Sequence, residues 1–199
     1  PQKHDDPLPK SITDATKELA SAGFNPAILE KAPLTSLTVN NEAVKEVSDT
    51  ADAFYSTKDQ SLTLSTTVKD PVMIHEFGHH LNFSWAGTPT LAQKMGVPYS
   101  DVDHASNAAF KEAQKIVDAV QVKLSIGVGG TVTPELSKEL DNMVISRYAA
   151  TGGPHEWIAE GVRQYTASPR ARAALQKQFP ATYTYVNGLI TGQFPKASE

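Results

Sequence analysis

His75-Glu76-Phe77-Gly78-His79 carries two imidazoles four positions apart with a carboxylate directly after the first. On an α-helix, positions i and i+4 lie on one face, one turn apart. His75 and His79 therefore project side by side and can grip one metal ion. Glu76 is rotated by about 100°, which puts its carboxylate beside the ion rather than on it. Two imidazoles with an adjacent base are the minimum of a hydrolytic zinc site, and the spacing is HExxH. The flanks fit a helix: Val72, Phe77, Leu81 and Trp85 fall at helical spacing around the motif. Pro71 suits a first turn, and Asp70 before it suits an N-cap. The motif is expected on a helix of about four turns. Gly78, a weak helix former between the two histidines, would let another segment approach closely.

A catalytic zinc keeps three protein ligands and leaves a fourth position open. The extended metzincin pattern needs a histidine at the sixth position after His79, and that position is Trp85. The remaining candidates are His104, His155, Glu156 and Glu160. The strongest segment is His155-Glu156-Trp157-Ile158-Ala159-Glu160-Gly161-Val162-Arg163-Gln164-Tyr165. It reads as an amphipathic helix with Ile158, Val162 and Tyr165 spaced for burial. Glu156 and Glu160 share a face. That pairing makes sense if Glu156 binds the metal and Glu160 accepts a hydrogen bond from a ligating imidazole. His155 competes for the third position. His104 follows Asp101 and Asp103 at a helix start, where capping or exposure is expected. His80 points off the metal face and is expected to be exposed or an outer neighbour of the site.

The net charge of −4 gives no footprint for nucleic acid, and there is no basic run. No apolar stretch approaches the ~20 residues that span a bilayer. The chain has no cysteine, which excludes disulfides and thiol chemistry. With 199 residues, 40% of them hydrophobic, it fits one domain with a real core. Residues 1–10, which include His4, read as a flexible tail and residues 11–199 as the domain. A start at Pro1 without Met is read as a processed or excised segment, compatible with a secreted protein.

Ser11 to Ala22 reads as a helix ended by Gly23, and Asn25 to Lys31 as a short turn of helix. Leu34 to Val39 alternates like a strand. Ala53 to Ser56 and Leu62 to Ser65 flank a hairpin signal at Thr57-Lys58-Asp59-Gln60. Leu62, Thr63, Leu64 and Ser65 are the candidate edge strand, whose free side could pair with an extended peptide. Ala86 to Ser100 reads as loop, and Val102 to Ser125 as a long helix. Gly127 to Gly130 reads as a flexible turn. Thr133-Pro134 opens a helix to about Arg147. After a Gly152-Gly153-Pro154 break comes the Glu156 helix, and Pro169 and Pro180 each start another. The expected class is α+β: a small mixed sheet with the motif helix, then a helical C-terminal part, with the metal between them.

The HExxH motif, followed by Tyr148 and then Glu156-Trp157-Ile158-Ala159-Glu160, resembles the gluzincin zinc metallopeptidases. It looks most like the group related to the catalytic domain of anthrax lethal factor, which includes the clostridial Pro-Pro endopeptidases. The resemblance spans roughly residues 50–190, but only the two short motifs are specific. It implies a zincin-like fold with one zinc ion held by His75, His79 and Glu156. Glu160 matches the outer carboxylate and Tyr148 the tyrosine that stabilises the oxyanion. The Tyr148-to-Glu156 spacing is one residue longer than the group's pattern, and the insertion after His79 is long.

The expectation is a monomeric zinc endopeptidase acting on a protein or peptide, with Glu76 as general base for a zinc-activated water. Two rivals stand beside it. One is a toxin or effector domain of a larger protein with a single host target. The other is a zincin-like domain that binds a partner without cutting it.

Overall fold

The protein is described by a computed structural model covering residues 11–49, 51–126 and 133–197. The expected tail, the Gly127–Gly130 turn and His4 lie outside the described residues. Two short helices open the chain, α1 (Ile12–Ser21) and α2 (Pro26–Lys31). Ser11 caps α1 by accepting from the Asp14 amide, and Asn25 caps α2 by accepting from the Ala27 amide. Then come β1 (Ser36–Val39), α3 (Asn41–Val47), β2 (Ala53–Ser56) and β3 (Ser61–Leu64). The hairpin between β2 and β3 turns through Gln60, whose φ is 50°.

The sheet order is β1-β3-β2, with β3 parallel to β1 and antiparallel to β2. This overturns one expectation. Leu62, Thr63, Leu64 and Ser65 do not form an edge: β3 is hydrogen-bonded on both sides, and all four residues are buried. Three consecutive buried residues are the mark of a central strand covered on both faces. The strand beside the cleft is β2.

The motif helix, α4, runs Asp70–Ala86. Its N-cap is Lys69 rather than Asp70, so Pro71 still falls within the first turn. Trp85, at the position a metzincin would give to histidine, is fully buried, and its indole N–H donates to the Leu189 carbonyl. The stretch read as loop after α4 contains α5 (Thr90–Met95) and the start of α6 (Tyr99–Ile126). α5 ends on Gly96 in the left-handed region, with φ of 70°. The helix opened by Pro134 stops early. α7 (Pro134–Met143) is followed by extended backbone and then α8 (Arg147–Gly152). Ser146 supplies the reason for the restart: its hydroxyl caps α8 by accepting from the Ala149 amide.

Three helices complete the chain, α9 (Pro154–Ala167), α10 (Pro169–Gln178) and α11 (Pro180–Thr191). Each begins with proline in its first turn, where the missing N–H is harmless. α11 has no cap of its own. Glu112 of α6 substitutes, accepting from the amides of Ala181 (3.3 Å) and Thr182 (2.8 Å) and from the Thr182 hydroxyl (2.7 Å). The result is a mostly helical α+β fold with a small mixed sheet followed by a helical C-terminal region.

α4 and α9 pack against each other at the centre of this fold. Gly78 is where they cross. A Cβ built on Gly78 would lie 2.9 Å from the Ala159 Cα and 3.2 Å from its carbonyl oxygen. The small residue in the motif is thus what lets the backbone of α9 come down on α4. Val162 of α9 also meets this point, its Cβ 3.2 Å from the position of a Gly78 Cβ.

Candidate metal centre

This crossing puts the two polar faces together. His75 and His79 rise from α4, and Glu156 and Glu160 from α9. Glu156 Oε2 lies 3.0 Å from His75 Nε2 and 3.4 Å from His79 Nε2. With metal–ligand bonds of about 2.0–2.2 Å, the edge of a tetrahedral zinc site is about 3.3 Å. Both Glu156 edges match that length, the three donors lie within 4.8 Å of one another, and their chemistry suits a zinc ion. His75, His79 and Glu156 are the group of ligating side chains that converges in this way among the described residues.

His75 is held from behind. Its Nδ1–H donates to Glu160 Oε2 at 3.3 Å, which turns Nε2 toward Glu156. Burial alone would lower the imidazole's affinity for a proton. The hydrogen bonds to Glu156 and Glu160 outweigh it and raise the pKa to about 9. A divalent cation bound at Nε2 takes the position of that proton. Glu160 is itself fixed by Arg163, whose Nε donates to Oε2 at 2.9 Å and whose Nη2 donates to Oε1. Burial opposes ionisation of Glu160, but the bonds from His75 and Arg163 prevail and lower its pKa to about 2. Glu156 is treated the same way. Burial opposes its charge, and the two imidazoles overcome that and hold the carboxyl well below its ordinary value.

Glu76 lines the same cleft as the two histidines. Burial pushes its carboxyl up, against the lowering influence of His79 and His75, and the Tyr55 amide donates to it. Tyr55 also donates its hydroxyl to His80 Nδ1 at 3.1 Å, so β2 is pinned to α4 at two points. His80 departs from the exposed alternative expected for it. It is buried rather than exposed, and its Nε2–H donates to the Ala32 carbonyl at 2.8 Å. It ties α4 to the end of α2 and to β2. In sequence it is indistinguishable from a surface histidine, because only the position of α2 supplies its acceptor.

Tyr148 stands on α8 with its ring 5.7 Å from that of His75. Desolvation at the carboxylate cluster and the adjacent Glu156 push its phenol up to about 12, so it remains a hydrogen-bond donor at neutral pH. Gly153, at φ of 90°, makes the turn between α8 and α9 that brings Tyr148 and Glu156 to one site. The other candidate ligands lie elsewhere. His104 is exposed on α6. His155 sits one residue before Glu156 and is rotated off the shared face by about 100°. Its Nδ1 meets the Asn82 amide, and its ring packs edge-on against Phe110.

The cleft over this centre has a volume of about 1050 Å³. It is lined by Ala53, Phe54 and Tyr55 of β2, by Asn82, Phe83 and Ala86 toward the end of α4, and by Phe110 and His155. No helix among the described residues is long and apolar enough to cross a membrane. No family model, no curated protein and no solved structure matches this chain, so the reading of the site rests on its own geometry.

Proposed function

We propose that this protein is a zinc-dependent endopeptidase of the gluzincin type, with His75, His79 and Glu156 as metal ligands. The observation that carries the reading is the convergence of these three donors within 4.8 Å of one another, beneath a cleft that Glu76 also lines. Bound zinc would supply Lewis-acid polarisation and lower the pKa of a water toward about 7. Glu76, raised by burial, is suited to take a proton from the attacking water and pass it to the leaving amine. The Tyr148 hydroxyl would donate to the developing oxyanion of the substrate carbonyl. Glu160 and Arg163 orient the His75 ring.

The wall at β2 gives the substrate a place to lie. Ser65 N–H bonds the Asp52 carbonyl, so the alternation of the antiparallel ladder turns the amide and carbonyl groups of Ala53 and Tyr55 away from β3. Tyr55 N–H is used by Glu76. Ala53 N–H and both carbonyls are then available to an extended peptide lying along β2. This supports an internal stretch of polypeptide as substrate.

The test is metal analysis together with cleavage of a peptide library. One zinc per chain, with cleavage abolished by a chelator, supports the proposal. Full zinc occupancy without cleavage of any member would favour a domain that binds its partner without cutting it.

A further inference from the structure

A second polar chain leads into the same cleft. Tyr185 on α11 is fully buried. Its own hydroxyl donates to Asn82 Oδ1 at 2.8 Å. The buried Tyr185 O–H needs an acceptor and the Asn82 amide oxygen supplies it, which leaves the Nδ2 group facing away. Asn82 Nδ2 then donates to His155 Nδ1 at 3.2 Å. A ring that accepts at Nδ1 carries its proton on Nε2. Each link dictates the next, so the core of the protein selects the tautomer of a histidine on the cleft wall. Phe110 restrains the ring further, with centroids 4.9 Å apart.

This apparatus has no use in the metal centre. Asn82 is buried one turn beyond His79, and burying an amide there is unfavourable unless its bonds are made. They are made here, and they lead to an exposed ring whose Nε2 has no hydrogen-bond partner among the described residues. His155 lines the cleft next to Glu156, and Ala53, Phe54 and Tyr55 of β2 line the same cleft. A peptide held along β2 has carbonyl groups on its other side that need donors. We propose that His155 is a substrate-binding residue whose Nε2–H, set by the Tyr185–Asn82 chain, donates to a main-chain carbonyl of the peptide in the cleft. This rests on the endopeptidase reading above.

Two measurements test it. The first is the ¹⁵N spectrum of the His155 ring, which distinguishes Nε2–H from Nδ1–H without reference to activity. The Nε2–H form is expected in the wild type, with the preference lost in Tyr185→Phe. A predominant Nδ1–H form in the wild type overturns the inference.

The second uses the zinc-loaded protein and two pools of random octapeptides, one acetylated and amidated at the ends and one with free ends. His155→Phe, which keeps an aromatic ring but no donor, should lower kcat/KM by about 3–10-fold, the worth of one neutral hydrogen bond. His155→Gln, whose amide reaches the Nε2 position, should recover most of that loss. Zinc content should be unchanged in both. Equal kcat/KM in wild type and His155→Phe overturns the inference and leaves the endopeptidase reading standing. So does loss of zinc from His155→Phe, which would assign the ring to the metal centre. If the wild type cuts only peptides with a free C-terminal carboxylate, a terminal anion rather than an internal carbonyl is the partner, and the inference is again overturned. If the wild type cuts nothing, the endopeptidase reading fails and the inference falls with it.

Discussion

Replacing Gly78 by alanine tests whether the metal centre depends on the close approach of two helices. The added Cβ would meet the Ala159 Cα at 2.9 Å, the Ala159 carbonyl oxygen at 3.2 Å and Val162 Cβ at 3.2 Å. Two of these atoms belong to the backbone of α9 and cannot rotate away. The helices must therefore separate by about 0.5 Å to restore ordinary contact. Overpacking of this kind costs about 1–3 kcal/mol, and the better helix propensity of alanine returns up to ~1 kcal/mol. With rigid backbone as the obstacle the upper part of the range applies, leaving a net loss of about 2 kcal/mol. For a chain of this size that is a fall in Tm of about 4–8 °C.

The same displacement carries Glu156 away from His75 and His79. Metal bonds tolerate about ±0.2 Å, so zinc affinity should fall by about 10–100-fold, comparable to the loss of an outer-shell partner. Melting in excess chelator isolates the packing term from the stabilisation that bound metal adds. Competition against a chromophoric chelator then gives the zinc affinity. Gly161→Ala is the control. Its Cβ meets side-chain methyls of Val186 and Thr182 on α11, at 3.1 and 3.2 Å, rather than the backbone of α4. It should cost some stability and leave zinc affinity unchanged. If Gly78→Ala melts at or above the wild-type temperature in chelator and binds zinc equally well, the argument that this glycine sets the geometry of the centre is refuted.

Glu76→Gln should retain zinc and lose turnover by about 10²–10⁴-fold, since proton transfer is removed and the ligands are not; near wild-type activity would remove Glu76 from the mechanism. Tyr148→Phe should lower kcat by about 10–10³-fold with little change in KM, and an unchanged kcat would leave Tyr148 as a packing residue against His75. Dialysed under identical conditions, Glu156→Ala should lose its zinc, Glu160→Ala should show an affinity loss of about 10–100-fold, and His155→Ala should keep its metal. The reverse order for Glu156 and Glu160 would exchange their roles.

The helical segments and their starts were legible because they depend on local chemistry. Proline in the first turn, a serine or asparagine hydrogen-bonding the next amides, and apolar spacing of three and four mark α1, α2, α4, α9, α10 and α11 without reference to the rest of the chain. The spacing of His75 and His79 belongs to the same class, because one helical turn is enough to place them together. Glu156 and Glu160 could be narrowed to one face of one helix for the same reason. The break after Met143 was missed, since extended backbone at Val144 interrupts a segment whose composition still favours helix.

What the sequence determined by itself was therefore local: which residues share a helical face, where helices begin, and that two imidazoles and a neighbouring carboxylate can serve one ion. Which strand lies at the edge was decided only by the fold. Leu62 to Ser65 and Ala53 to Ser56 are both short and β-prone, and only the arrival of β1 beside β3 makes β3 central and leaves β2 at the cleft. His80 was decided the same way, through an acceptor 48 residues distant, at Ala32. The meeting of Glu156 with His75 and His79 depends on α9 crossing α4 at Gly78, and the tautomer of His155 depends on a tyrosine from the last helix. Contacts of this kind join residues far apart in the chain, and no periodicity records them, because they are selected by the packing of whole elements against one another.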